Sequence, residues 1–404
     1  MTALTDSGIA ALRSETPGSQ HVVHFNHAGS SLMPQRVIDA VVAHTVREGE
    51  IGGYEAEDEA ADRIDAVYDQ VAGLINADRG EVAMIENATR AWDMVFYAIP
   101  FASGDRILTS IAEYHSNVIA FYQVRKRGVL IEVVPNDQYG QMDVDALADM
   151  MDERVRLVAV SHMPTNGGLV QPAEEIGRVV AQWPALYLLD ACQSIGQKPI
   201  DVQAVGCHML SASARKYLRG PRGQGFLYVN QTVIDQLEPP MLDGHAAMWS
   251  SRDSYELMPD ARRFENWERS FANILGMGDA VALAMIIGVD RIWERILRQA
   301  TRLRERLSAL PGVTLTDVGE VQSGIVTFMI DSWPPGDIQA QLNARSINVT
   351  TSTRSSTRFD MEARGLDEVV RSSIHYLTTD EEIETLIAAL AESRYPGRAR
   401  GILT

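Results

Sequence analysis

The stretch "CHMLSASARKYLRGPRGQGFLYV", residues 207 to 229, sets one lysine, Lys216, between an apolar entry and a glycine-rich exit, with three arginines around it. Its two ends, "CHMLSAS" and "GFLYV", are short runs of apolar and small residues without helical periodicity, which reads as two strands. The "GPRGQG" between them lacks the order of a nucleotide-binding loop, because a strand follows it rather than a helix. Its glycines instead permit a tight turn back into the sheet. Taken alone, a lysine in such a turn is a surface residue. The neighbouring pattern reverses that reading.

Upstream, "DRILTS", "LIEVVP", "RLVAVSHM" and "ALYLLDA" are apolar nearly throughout, the pattern of strands covered on both faces by helices. The run "DEAADRIDAVYDQVAGLI" places Ile64, Val67, Tyr68, Val71, Leu74 and Ile75 on one helical face. Strands alternating with such helices predict an α/β domain with a largely parallel sheet. From about residue 275 the pattern changes: a long amphipathic helix, "VDRIWERILRQATRLRERLSAL", is followed by the strand-like "SGIVTFMI" and "VVRSSIHYL" and a closing helix, "TDEEIETLIAALAES". The expected organisation is an N-terminal arm over 1–25, a large domain over 26–274 and a smaller α+β domain over 275–404.

With 404 residues, 46% of them hydrophobic, the chain can bury a large core. Its formal net charge of -18 argues against nucleic acid or an anionic membrane as partner, since phosphate-backbone binding draws on clustered positive charge. The longest apolar run, "GMGDAVALAMIIGV", is too short to span a bilayer, and the start lacks the basic-then-apolar order of a signal peptide. A cytoplasmic location is the default expectation. Cys192 and Cys207 have neither disulfide-framework nor zinc-site spacing and read as packing residues, so no metal is expected.

In a parallel α/β sheet, ligands sit beyond the carboxyl ends of the strands. Three polar features fall at such ends: Asn87-Ala88-Thr89 before a helix, Asp190 with Gln193 after "ALYLL", and Ser213 with Arg215 and Lys216 after "CHML". One cofactor uses all three. Pyridoxal 5'-phosphate needs a lysine for its Schiff base, a carboxylate to keep its ring nitrogen protonated, and donors for its phosphate. Ala88 and Thr89 can present N–H groups at a helix N-terminus, where an anion is favoured.

Six pieces in this order, "FNHAGSS", "ENATRAWDMV", "AEYHSNVIAF", "LLDACQSIGQKPIDV", "SASARKYLRGPRGQGFLYV" and "VRSSIHYLTTDEEI", resemble the class V aminotransferase family, which includes the cysteine desulfurases. The resemblance covers nearly the whole chain. It implies the type I pyridoxal-phosphate fold, a large cofactor-binding domain with a mostly parallel sheet plus a smaller C-terminal domain, and a homodimer with active sites at the interface. It implies that Lys216 is the Schiff-base lysine, that Asp190 pairs with the ring nitrogen and that Gln193 reaches the ring hydroxyl. Ser213, Arg215 and Thr89 would bind phosphate, with Ala88 beside them, and Arg371 would grip the substrate carboxylate. Tyr114 stands at the aromatic position over the ring, where the family usually has histidine. His27 in "FNHAGSS" and His162 in "VSHMPTNGG" complete the expected substrate contacts.

Desulfurases carry a nucleophilic cysteine shortly before the carboxylate-binding arginine. Here that region, "NVTTSTRSSTRFDMEARGLDEVVR", has none, so a persulfide on that loop is not expected. Arg354 and Arg358 within it are either substrate contacts or solvated charges. The expected activity is a lyase working by β-elimination on an amino-acid substrate. Transamination and epimerisation share its first intermediate, and a cofactor-binding protein without turnover or a nicotinamide dehydrogenase are the rivals from other classes.

Overall fold

The computed structural model of the chain describes residues 4–394; residues 1–3 and 395–404, the outer ends of the expected arm and small domain, lie outside the described residues. Its centre is a seven-stranded sheet: β1 (Val82–Ile85), β2 (Arg106–Thr109), β3 (Leu130–Val133), β4 (Val155–Ser161), β5 (Leu186–Asp190), β6 (Met209–Ser213) and β7 (Gly225–Val229). The spatial order is β1-β7-β6-β5-β4-β2-β3. Only β7 runs antiparallel to its neighbours, so the sheet is mixed but mostly parallel. The interior strands β5, β6 and β7 are buried at every position, which is why their sequences are apolar runs rather than alternating ones.

All six strands expected here from the sequence are present, and β1 is an addition at the edge. The helix of the run 58–75 extends over Gly53–Ile75 and buries Ile64, Val67, Tyr68, Val71 and Ile75, the face its periodicity marks. The apolar segment Phe271–Ile287 is a core helix packed against Gln35–Ile51 and Gly53–Ile75. Among the described residues no single helix is long and apolar enough to cross a membrane.

A second, four-stranded antiparallel sheet joins β8 (Val313–Leu315), β9 (Ile325–Ile330), β10 (Thr350–Thr353) and β11 (Glu368–Ser373) in the order β8-β9-β11-β10. The helices Val289–Ser308 and Asp380–Arg394 accompany it. The start of the chain is tied to this part: Val23 and His24 pair in parallel with Ile347 and Asn348, and Asn26 bridges Ser373. That pairing brings Asn26 and Arg371 together at the edge of the large sheet.

Candidate active site

The strand register assembles the site. Ser161, the last residue of β4, lies opposite Asp190, the last of β5, and Asp190 lies opposite Ser211 of β6, so the carboxyl ends of three neighbouring strands meet. A cavity of about 330 Å³ opens there. Asp190, Gln193, Ser213, Arg215 and Lys216 border it from the sheet side, while Ala88, Thr89 and Tyr114 border it from two helix starts. Eight of the expected site residues thus meet around one space.

Lys216 sits on a bend fixed by backbone bonds. Ala214 N donates to Gln224 O (3.0 Å), Gly220 N to Ala214 O (2.8 Å), Arg219 N to Lys216 O (2.9 Å) and Ser31 N to Arg215 O (2.9 Å). The turn after β5 packs on this bend at Gly196, whose φ is +78°. A Cβ there would come within 2.5 Å of Leu218 N, so only glycine fits. The three arginines divide their work. Buried Arg219, itself at φ 67°, donates to Leu32 O (2.9 Å) and to the Tyr376 hydroxyl (2.7 Å), whereas Arg215 and Arg222 border the cavity. The chain holds three lysines, Lys126, Lys198 and Lys216, and Lys216 is the one bordering this cavity.

Asp190 is buried, and burial pushes its carboxyl above the usual range despite the charge of Lys216 and hydrogen bonds that oppose the shift. Those bonds come from Cys192 N to Oδ1 (2.9 Å) and from Asn117 Nδ2 to Oδ2 (3.2 Å). A carboxylate still destabilised with these partners would gain from a cation beside it. Gln193 donates through Nε2 to Ala28 O (3.1 Å), leaving its buried Oε1 without a partner, and Nη1 of Arg215 is likewise buried and unpartnered. Across the cavity Asn87 caps the helix Ala88–Phe96 by accepting from Arg90 N (3.0 Å). The first turn of that helix, whose N–H groups have no intrahelical acceptor, borders the cavity at Ala88 and Thr89. A buried acceptor, a buried cationic donor and a helix N-terminus around one carboxylate and one amine fit an anionic, hydroxylated, nitrogen-containing ring such as pyridoxal phosphate.

Arg371, on β11, stands one residue behind the cavity wall. Nη1 donates to the hydroxyl of Thr165, which borders the cavity, and Nη2 to Asn26 Oδ1 (3.3 Å). Among the described residues no carboxylate pairs with it, its Nε has no partner, and burial lowers its pKa to about 10. A buried guanidinium in this state is poised for an anion.

Two expected substrate contacts lie elsewhere. His162 follows the end of β4 and does not border the cavity; its Nδ1 meets Ser194 Oγ at 3.0 Å. His27 is buried against His375, ring centroids 4.5 Å apart, with Nδ1 3.0 Å from Ser31 Oγ. Neither imidazole borders the cavity, and neither is carried forward as a substrate contact. Arg354 and Arg358 pair with Asp367 and Glu362, which favours the solvated reading. Cys192 is a correction: rather than only packing, it borders the cavity with Sγ 2.8 Å from Ser213 Oγ. Cys207 is buried, and burial pushes its thiol up to about 12, an inert packing residue. The residues that sequence reasoning missed are Asn117, Ser161, Thr165 and Gln224, together with Glu113 behind them. The polar pair in "EYHSN" was the one available signal.

A family model described as Aminotransferase class-V matches residues 23–386. A probable cysteine desulfurase of Methanothermobacter thermautotrophicus is 32% identical over 391 residues, covering 94% of this chain and 97% of that protein. The apo structure of a cysteine desulfurase from Thermococcus onnurineus NA1 superposes with a TM-score of 0.89 at 25% identity, covering 97% of this chain and 98% of that one. The cystine C-S lyase C-DES, solved with its product cysteine persulfide, shares the fold with a TM-score of 0.84 at 23% identity over 93% of this chain and 99% of its own. The fold is therefore the type I pyridoxal-phosphate fold.

The buried imidazoles carry a pH signature. Burial holds His162 down to about 3 from an ordinary 6.5, so the stability gained by keeping it neutral is present above pH 6.5 and is lost as pH falls through the window between the two values. Wild type should lose about 2 kcal/mol more than His162→Asn between pH 7 and pH 5, measured by denaturant unfolding of both. Equal losses would show that His162 is not buried neutral.

Proposed function

The chain belongs to the class V aminotransferase family, whose members are pyridoxal-phosphate enzymes, and from that premise we propose a lyase that eliminates a sulfur substituent from the β-carbon of a cysteine-like amino acid. The observation that carries this reading is a cavity lined by Lys216, Asp190, Ser213, Arg215 and the helix start at Ala88, paired with a segment, 345–370, that contains no cysteine. Curated relatives are named cysteine desulfurases, which supports carbon–sulfur chemistry.

Pyridoxal phosphate, when bound, supplies an aldehyde for the substrate amine and a protonated ring that draws electrons from the substrate α-carbon. In this reading Lys216 holds it covalently and Asp190 faces its ring nitrogen. Gln193 offers its unpartnered Oε1 to the ring hydroxyl, and Tyr114 covers one face. Ser213, Arg215 and the helix start at Ala88 and Thr89 take the phosphate. Lys216 Nζ, once released by the incoming amine, is the base for the α-proton. Arg371 binds the substrate carboxylate, a role supported by its burial without a counter-ion. The β-carbon–sulfur bond would then break with the electron pair leaving on sulfur, which takes up a proton and departs as a thiol; the remaining enamine, as its imine, would take up one water to give ammonia and the keto acid.

The sulfur leaves to solvent in this account rather than onto the protein. Cys192 is held at the rigid end of the sheet by its contact with Ser213, on the side assigned to phosphate. The homodimer implied by the family is supported by the hairpin of Ala247–Ser251 and Ser254–Leu257, where Trp249 is 80% exposed and Tyr255 52%.

A cysteine conjugate incubated with the holoenzyme should yield ammonia, keto acid and free sulfur product with no added keto acid. Strict dependence on a keto-acid acceptor that recovers the amino group would identify an aminotransferase instead, and a persulfide found on Cys192 would overturn release to solvent. Arg371→Ala should raise KM for the amino acid by about 100-fold, in line with a lost charge-assisted pair of about 3 kcal/mol, and leave the corresponding decarboxylated amine nearly unchanged. Equal effects on both substrates would assign Arg371 to packing.

A further inference from the structure

Glu113 is 1% exposed and makes no ion pair among the described residues. Its carboxylate instead collects four donors: Tyr114 N (2.8 Å), Ser161 N (3.0 Å), Asn117 Nδ2 (2.8 Å) and Ser161 Oγ (2.5 Å). Such a buried carboxylate is expensive. Burial pushes Glu113 up to about 7, the nearby charge of Asp190 acting in the same direction while the hydrogen bonds from Ser161, Asn117 and Tyr114 oppose it. It does not border the cavity described above, and nothing in the reaction above uses it.

The link to the reaction runs through Asn117. The same Nδ2 that donates to Glu113 Oε1 also reaches Asp190 Oδ2 at 3.2 Å. An amide nitrogen carries two protons, so it can serve both carboxylates at once. The amide could equally be turned over, and its oxygen would then face Asp190 and repel it. Glu113, an acceptor placed on the nitrogen side, removes that alternative. The same carboxylate also fixes the backbone N–H of Tyr114, the start of the helix His115–Arg125. One buried group therefore sets both the residue assigned to the ring nitrogen and the residue assigned to the ring face.

We propose that Glu113 is a positioning residue that orients the Asp190 carboxylate for the cofactor ring nitrogen by locking the side-chain amide of Asn117. The inference rests on the reading of Asp190 given above. Glu113→Gln replaces a group that in its ionised form only accepts with an amide that always carries donors, which frees Asn117 to turn over.

The test is a titration of the full-length apoprotein with pyridoxal phosphate, followed by visible absorbance, alongside thermal unfolding of each variant. Glu113→Gln should weaken cofactor affinity by roughly tenfold or more, the range seen when outer-shell partners of a bound group are removed. In an Asn117→Ala background the same substitution should change affinity by less than about threefold, because the pathway through Asn117 is already gone. Glu113→Asp, which keeps the acceptor, should recover part of the loss, and it carries the test should Glu113→Gln fail to fold. Unchanged affinity in Glu113→Gln, or losses that multiply in full in the double variant, would overturn the proposal. Asp190→Asn separates the two readings. If it binds cofactor normally, the role of Asp190 is wrong; if it binds weakly while Glu113→Gln binds normally, only the Glu113 relay fails.

Discussion

A carboxylate buried at the carboxyl end of a parallel sheet is the constraint around which this molecule is arranged. Asp190 ends a strand with no exposed position and is itself buried, so its charge is largely shielded from bulk water and must be met chiefly by groups around the cavity. The protein's own share is a backbone N–H from Cys192, the amide of Asn117 and the amine of Lys216. These do not bring the carboxyl back to its ordinary range. In the function proposed above a ring nitrogen would do so, and the unpartnered acceptor of Gln193, the cation of Arg215 and the helix start at Ala88 would meet the ring's other groups.

Placement of these groups depends on strand register more than on any loop. Because Ser161, Asp190 and Ser211 are paired side by side, a one-residue slip in β5 would turn Asp190 to the opposite face of the sheet. The bend carrying Lys216 is attached to this frame through Gly196, and Arg219 clamps it to the start of the chain at Leu32 and to Tyr376 near its end. The early strand at Val23 and His24 pairs with Ile347 and Asn348. Residues far apart in sequence, Asn26 and Arg371, thereby meet behind Thr165, which borders the cavity.

Much of this was legible in the sequence, for a physical reason. Interior strands buried on both faces must be apolar throughout, so "ALYLLDA" and "GFLYV" announced themselves, and the polar residues that end them stood out. β1, β8 and β10 did not, each being three or four residues long at a sheet edge, while the equally short edge strand β3 was read but is half-exposed rather than covered on both faces as its apolar run suggested. The residues that meet around the cavity at Ala88 and Thr89, Asp190 and Gln193, and Ser213 to Lys216 were readable because they cluster in three short segments. Asn117, Thr165 and Glu113 were not, since each acts through a spatial neighbour: Glu113 and Asp190 are linked by an asparagine on a different element from either. His27 and His162, read beside site segments in sequence, are buried off the cavity, against His375 and Ser194 respectively.

The central claim is that Lys216 is the covalent anchor. Its most direct test is borohydride reduction of the holoenzyme followed by proteolysis and mass mapping. With three lysines in the chain, there are few places for the label to fall. The account predicts the pyridoxyl mass on the peptide containing Lys216 and its disappearance in Lys216→Ala. Label on Lys126 or Lys198, or label that survives in Lys216→Ala, would contradict it.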